Sequence, residues 1–172
     1  MSPRERENRT LREGVGELDF NVQHAKLTRR AWRRENGGMV AYVSHTTVDC
    51  RDAYTLAAWW REVLGYTQDP DDPDSPGDEE CLIISPDGGH RVLFVEVPET
   101  KQVKNRIHFD LRPREGGRDD ELSRLRELGA TEVDDRRNPD GTGWVVLADP
   151  EGNEFCILRS EAEVAASPPT TD

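Results

Sequence analysis

The chain carries the same pattern twice, and no other feature limits its fold as tightly. The stretches ECLIISPDGGHRVLF (80–94) and WVVLADPEGNEFCIL (144–158) align without a gap at a shift of 64 residues. Pro86 falls on Pro150, Asp87 on Glu151, Gly88 on Gly152 and Leu93 on Ile157. Each copy reads as an apolar run, a Pro-acid-Gly turn and a second apolar run, the pattern of a β-hairpin. Upstream, Leu64-Gly65 and Leu128-Gly129 stand at the same shift and mark helix ends, glycine supplying the left-handed residue. Asp52 begins the first helix as its N-cap, and Asp119 or Asp120 the second. Leu56, Trp59, Trp60, Val63 and Leu64 make one apolar helix face, and Leu122, Leu125 and Leu128 the other. A short strand precedes each helix, AYVSHTTVDC (41–50) and NRIHFDL (105–111). The expectation is an α+β fold from about 40 to 159: strand, helix and three strands, twice over, in modules of about 40–98 and 103–159. A sheet that buries one face needs a partner surface, so the two units curl around a shared cavity.

Charge sets the boundaries. Residues 1–38 hold nine basic and six acidic residues (+3), and residues 39–172 hold 14 basic and 29 acidic (−15), for the total of −12. The sign changes at Met39. The first 38 residues are therefore expected to be a basic, disordered extension with no core of its own, and 39–160 the folded domain. KLTRRAWRRE (26–35) within it also has the look of a short binding helix, and Met39, the only Met after Met1, is an alternative start. The run DPDDPDSPGDEE (69–80) has seven acids in twelve residues and reads as a solvated loop. Residues 161–172 are expected to be a disordered tail.

The acidic balance argues against nucleic acid or a membrane surface as partner and leaves small molecules. Three cysteines at unrelated spacings imply no disulfide framework, and the expected location is cytoplasmic.

The first strands carry one histidine each, His45 and His108, 63 residues apart and so one short of the repeat. The shift is absorbed in the connection to the second helix. By strand alternation Thr47 and Asp49 share the face of His45, and Asp110 shares that of His108. Two imidazoles converging on one cavity suit a divalent metal. The alternative is that each is a half-buried strand residue bonded to a neighbouring Asp or backbone carbonyl. Cys156 is a thiolate candidate for a third ligand, or a small buried apolar residue. Glu154 and Glu96 are candidate carboxylates for ligation or base work, and the repeat sets His90 opposite Glu154 and Val92 opposite Cys156. Trp144, Asp110 and Thr47 are candidate cavity-lining residues. Only one of the adjacent Trp59 and Trp60 can face fully into the core.

Copy two, KNRIHFDL…LRELGATEV…GWVVLADPEGNEFCIL, resembles the vicinal oxygen chelate superfamily, and within it the bacterial glyoxalase-like domains. The likeness covers about 41–159. It implies paired βαβββ modules forming a cup-shaped mixed sheet, commonly completed as a homodimer. It implies one divalent metal (zinc, iron, nickel or manganese) in the metal-binding members, with His45 and His108 in ligand places. The further ligand of such members is a Glu seven residues after the turn Asp, where this chain has Cys156. Members include metal-dependent lyases, isomerases and dioxygenases as well as metal-free drug-binding proteins. Two functions therefore stand side by side: a module that holds a small molecule in the cavity, and a metal-dependent enzyme on a substrate with vicinal oxygens.

Overall fold

The computed structural model describes residues 41–166, and the elements below all lie within the unit Val43–Asp172. The basic stretch 1–38 and the end of the tail, 167–172, fall outside the described residues.

Module one runs β1 (Thr46–Cys50), α1 (Ala53–Leu64), β2 (Thr67–Gln68), β3 (Glu80–Ile84) and β4 (Arg91–Glu96). Module two runs β5 (Asp110–Leu111), α2 (Arg118–Glu127), β6 (Thr131–Asp135), β7 (Val145–Ala148) and β8 (Glu154–Ile157). Each module forms one four-stranded mixed sheet, ordered β1-β4-β3-β2 and β5-β8-β7-β6, with the first strand parallel to the last. A parallel pair needs a crossover, which α1 and α2 supply. The architecture is α+β with paired βαβββ modules.

Asp52 caps α1 through Thr55 N–H at 2.9 Å, and Gly65 ends it at φ 65°, in the left-handed region. The second helix departs from expectation. Its N-cap is Gly117, and Asp119 and Asp120 fall inside the first turn, where Asp120 turns back to accept the Gly117 N–H at 3.0 Å. The tail departs as well: Glu161–Ala166 form a short helix, α3. Glu163 pins it, its carboxylate accepting the backbone N–H of Ser160 and of Arg118 at 2.7 and 2.9 Å.

The core lies on one face of each sheet. Val92, Phe94, Cys81 and Ile83 from sheet one, and Phe155, Ile157, Val145 and Leu147 from sheet two, join Leu56, Trp60, Leu122 and Leu125 of the helices in one cluster. Trp60 is buried while Trp59 is half-buried, as their adjacency requires.

Strand register corrects the gapless alignment. Ile84 pairs with Arg91 in module one, and Ala148 with Glu154 in module two. The loop between is 85–90 in one and 149–153 in the other, one residue shorter. Beyond it the repeat runs at 63, so Leu93 matches Cys156 and Arg91 matches Glu154, rather than Val92 and His90. The parallel pairs Thr46 with Val92 and Asp110 with Cys156 carry that offset into the first strands. His45 and His108 thus occupy matching places.

Candidate functional site

Side chains alternate along a strand, so the face away from the helices is fixed by the same registers. It carries His45, Thr47, Asp49 and Leu93 in module one, and His108, Asp110, Glu154 and Cys156 in module two. Because β5 lies parallel to β8 with Asp110 beside Cys156, three donors meet there. The His108 nitrogen, an Asp110 oxygen and the Cys156 sulfur all lie within 4.8 Å of one another. His108 Nδ1 stands 3.0 Å from Asp110 Oδ1 and 3.8 Å from Cys156 Sγ. His108 and Asp110 are exposed and Cys156 is buried. Burial, followed by the hydrogen bond and charge of Asp110, pushes the Cys156 thiol up to about 11.

A cavity of about 620 Å³ opens beside this cluster. Its walls are β1 from Thr46 to Cys50, Ile107 to Phe109 before β5, the linker at 97–105, and the turn at 149–154. His108, Glu154 and Trp60 also line it. Glu154 is held from the linker, with Lys101 Nζ at 2.9 Å and the Asn105 N–H at 3.0 Å. Its burial would raise the carboxyl pKa, but those two donors outweigh it and the net shift is downward.

The turn that closes the cavity also locks the modules together. Asp149 is 3% exposed and accepts from Trp60 Nε1 at 3.1 Å, from the Glu151 and Asn153 N–H groups at 2.9 Å each, and from Asn153 Nδ2 at 3.0 Å. Glu151 receives the Arg51 and Asp52 N–H groups at 2.7 and 3.1 Å, just ahead of α1.

The remaining sequence candidates fall as follows. Thr47 lines the cavity. Asp110 belongs to the donor cluster rather than to the wall. His45 is exposed beside Ser44, 3.3 Å away, apart from the cluster. Glu96 ends β4, exposed and off the cavity, and Trp144 is 43% exposed and likewise outside it. Sequence reasoning missed Lys101 and Asn105, because nothing in a polar linker reveals which residues fold back.

A family profile described as a glyoxalase-like domain matches residues 45–158. The chain belongs to the glyoxalase-like domain family. Solved structures agree on the fold of this glyoxalase-like domain. One is a variant of the fosfomycin resistance protein FosX from Listeria monocytogenes, complexed with Mn(II) and 1S,2S-dihydroxypropylphosphonic acid. It is 18% identical with a TM-score of 0.54, covering 73% of this chain and 94% of that one. FosX from Mesorhizobium loti is 17% identical with a TM-score of 0.53, covering 75% and 100%. A glyoxalase/bleomycin resistance protein/dioxygenase family enzyme from Burkholderia phytofirmans is 21% identical with a TM-score of 0.52, covering 68% and 97%. Among curated proteins none matches closely enough to count as a relative. Among the described residues no helix is long and apolar enough to cross a membrane.

Proposed function

We propose that this glyoxalase-like domain is a metal-dependent enzyme acting on a small substrate with vicinal oxygens, of the lyase, isomerase or dioxygenase kind. The carrying observation is the convergence of imidazole, carboxylate and thiol within 4.8 Å beside the cavity. His108, Asp110 and Cys156 would hold the ion. A thiol among the donors suits zinc or iron better than a hard cation. The bound ion supplies Lewis-acid polarisation of the substrate oxygens. The rest falls to the chain's own groups. Glu154, on the same face of β8 and in the cavity wall, is the proton acceptor, kept ionised by Lys101 and Asn105. The Thr47 hydroxyl offers a hydrogen bond to a substrate oxygen. Glu96, off the cavity, takes no part. His45 occupies the matching place on module one, where a twofold homodimer would let it complete the site of a second copy.

One observation favours a second reading, a module that holds its ligand without metal. A thiol at about 11 stays protonated near neutral pH, and His108 Nδ1 already lies 3.0 Å from Asp110 Oδ1, so the cluster is satisfied as it stands. Metal content separates the two. Protein stripped by chelator, offered zinc, iron(II), nickel or manganese and then dialysed should retain about one equivalent. His108→Ala should lose it, and Cys156→Ser should lower zinc affinity about tenfold or more while sparing manganese. Wild-type protein that keeps no stoichiometric ion sinks the metal reading and leaves the second.

A further inference from the structure

The charge of the cavity wall selects the charge of what enters it. We infer that the cavity takes an organic cation, an amine on a small apolar body, in preference to a neutral or anionic molecule of the same shape. This rests on the reading of the cavity as the ligand site and adds the substrate's charge class to it.

The wall contains five carboxylates, Asp49, Glu99, Asp149, Glu151 and Glu154, against one ammonium, Lys101. Three of the five are already engaged. Asp149 is filled by Trp60 and its own turn, Glu151 by two backbone N–H groups ahead of α1, and Glu154 by Lys101. The single wall ammonium is thereby used up on Glu154, and the one other basic group of the wall among the described residues, the His108 imidazole, already faces Asp110 at 3.0 Å. Asp49 and Glu99 have no such partner among the described contacts and stand exposed on opposite segments, β1 and the linker. The wall also holds the apolar side chains of Val48, Val97, Phe109 and Ile107. A cavity of about 620 Å³ with apolar side chains in its wall and two carboxylates that have no partner among the described contacts suits an ammonium on a hydrocarbon body. The field of the whole chain, at −12, acts in the same direction by drawing cations in. In the metal-free cavity an anionic phosphonate, such as the one in the Listeria FosX complex, would meet carboxylates.

Three probes of one shape test this: dopamine (cationic), 4-ethylcatechol (neutral) and 3-(3,4-dihydroxyphenyl)propionate (anionic). Each carries vicinal oxygens, so only charge varies. Calorimetric titration without oxygen, on both metal-free and zinc-loaded protein, should rank them in that order. Dopamine should bind about five-fold or more above 4-ethylcatechol, as two partly screened carboxylates allow. The margin should shrink in 0.5 M salt, and Asp49→Asn with Glu99→Gln should bring it close to unity, with melting temperature confirming that the variant is folded. Equal affinities, a tighter anion, or no binding of any probe overturns the inference. A protein that ranks the probes by charge yet binds no metal keeps this inference and loses the metal reading. One that binds metal but ignores probe charge does the reverse.

Discussion

Asp149 shows how much one side chain can be asked to hold. A buried carboxylate is costly unless its lone pairs are met, and here four donors meet them. Among the described residues Trp60 supplies the only one from the other module. Trp60→Phe should therefore destabilise the protein by about 1–3 kcal/mol, since it strips a partner from a buried charged group. Urea unfolding of the two proteins measures it, and an unchanged midpoint would show that water replaces the indole. The pairing lies 89 residues apart in sequence. Adjacency allowed at most one tryptophan of the pair to face fully into the core, without saying which, and Trp60 does. Its partner was not legible, because an Asp in an Asp-Pro-Glu-Gly-Asn turn accounts for itself through local bonds. The same holds at the site. His108 and Cys156 were both readable as donors from strand alternation. Asp110 shared the face of His108 by the same alternation, and that Cys156 joins the two depended on which strand lies beside β8.

At the scale of elements, α1 was the most legible piece, since its cap, apolar face and terminal glycine are all local. Its cap also makes a pH prediction. The Thr55 N–H and hydroxyl hold the Asp52 carboxyl below its ordinary value of 3.8. A group lowered on folding stabilises the protein at pH above its unfolded value, and that contribution fades as pH falls through the lower folded value. Asp52→Ala should cost about 1 kcal/mol near neutral pH and progressively less below pH 4, as read by thermal melts across the range. A constant difference at every pH would assign the effect to something other than the cap. The second helix was misread at its start because several acids in a row make equally good caps on paper. A glycine at φ 69°, Gly116, stands just ahead of the observed cap, Gly117, which lies two residues before Asp119. The hairpin loops misled for a related reason: Pro-acid-Gly occurs in both, and only strand pairing reveals that one loop has a residue more.

For the whole molecule, the open face of sheet one is the unfinished surface. Leu82, Ile84, Leu93 and Val95 share it by register and are only half-buried. A twofold homodimer would cover them with an isologous interface and bring His45 towards a second copy's donor cluster. Sedimentation at micromolar concentration should then report twice the 19.5 kDa chain mass, and Leu93→Glu should halve it. A monomer at those concentrations removes both the dimer and the role offered to His45. The overall architecture could be read from the repeat because duplication shows itself at every level of the pattern. A cavity shared by the two modules could be read from it as well, but the full lining could not, because part of the wall is a linker that has no counterpart in the repeat.

The Asp-Pro-Glu-Gly-Asn turn has one more consequence. It is the most recognisable phrase in the chain, yet its carboxylates are occupied in joining module to module and in bracing α1. As a diagnostic mark it certifies assembly, not chemistry. A descendant that lost His108, Asp110 and Cys156 outright could keep this turn intact and still be sorted among its kin.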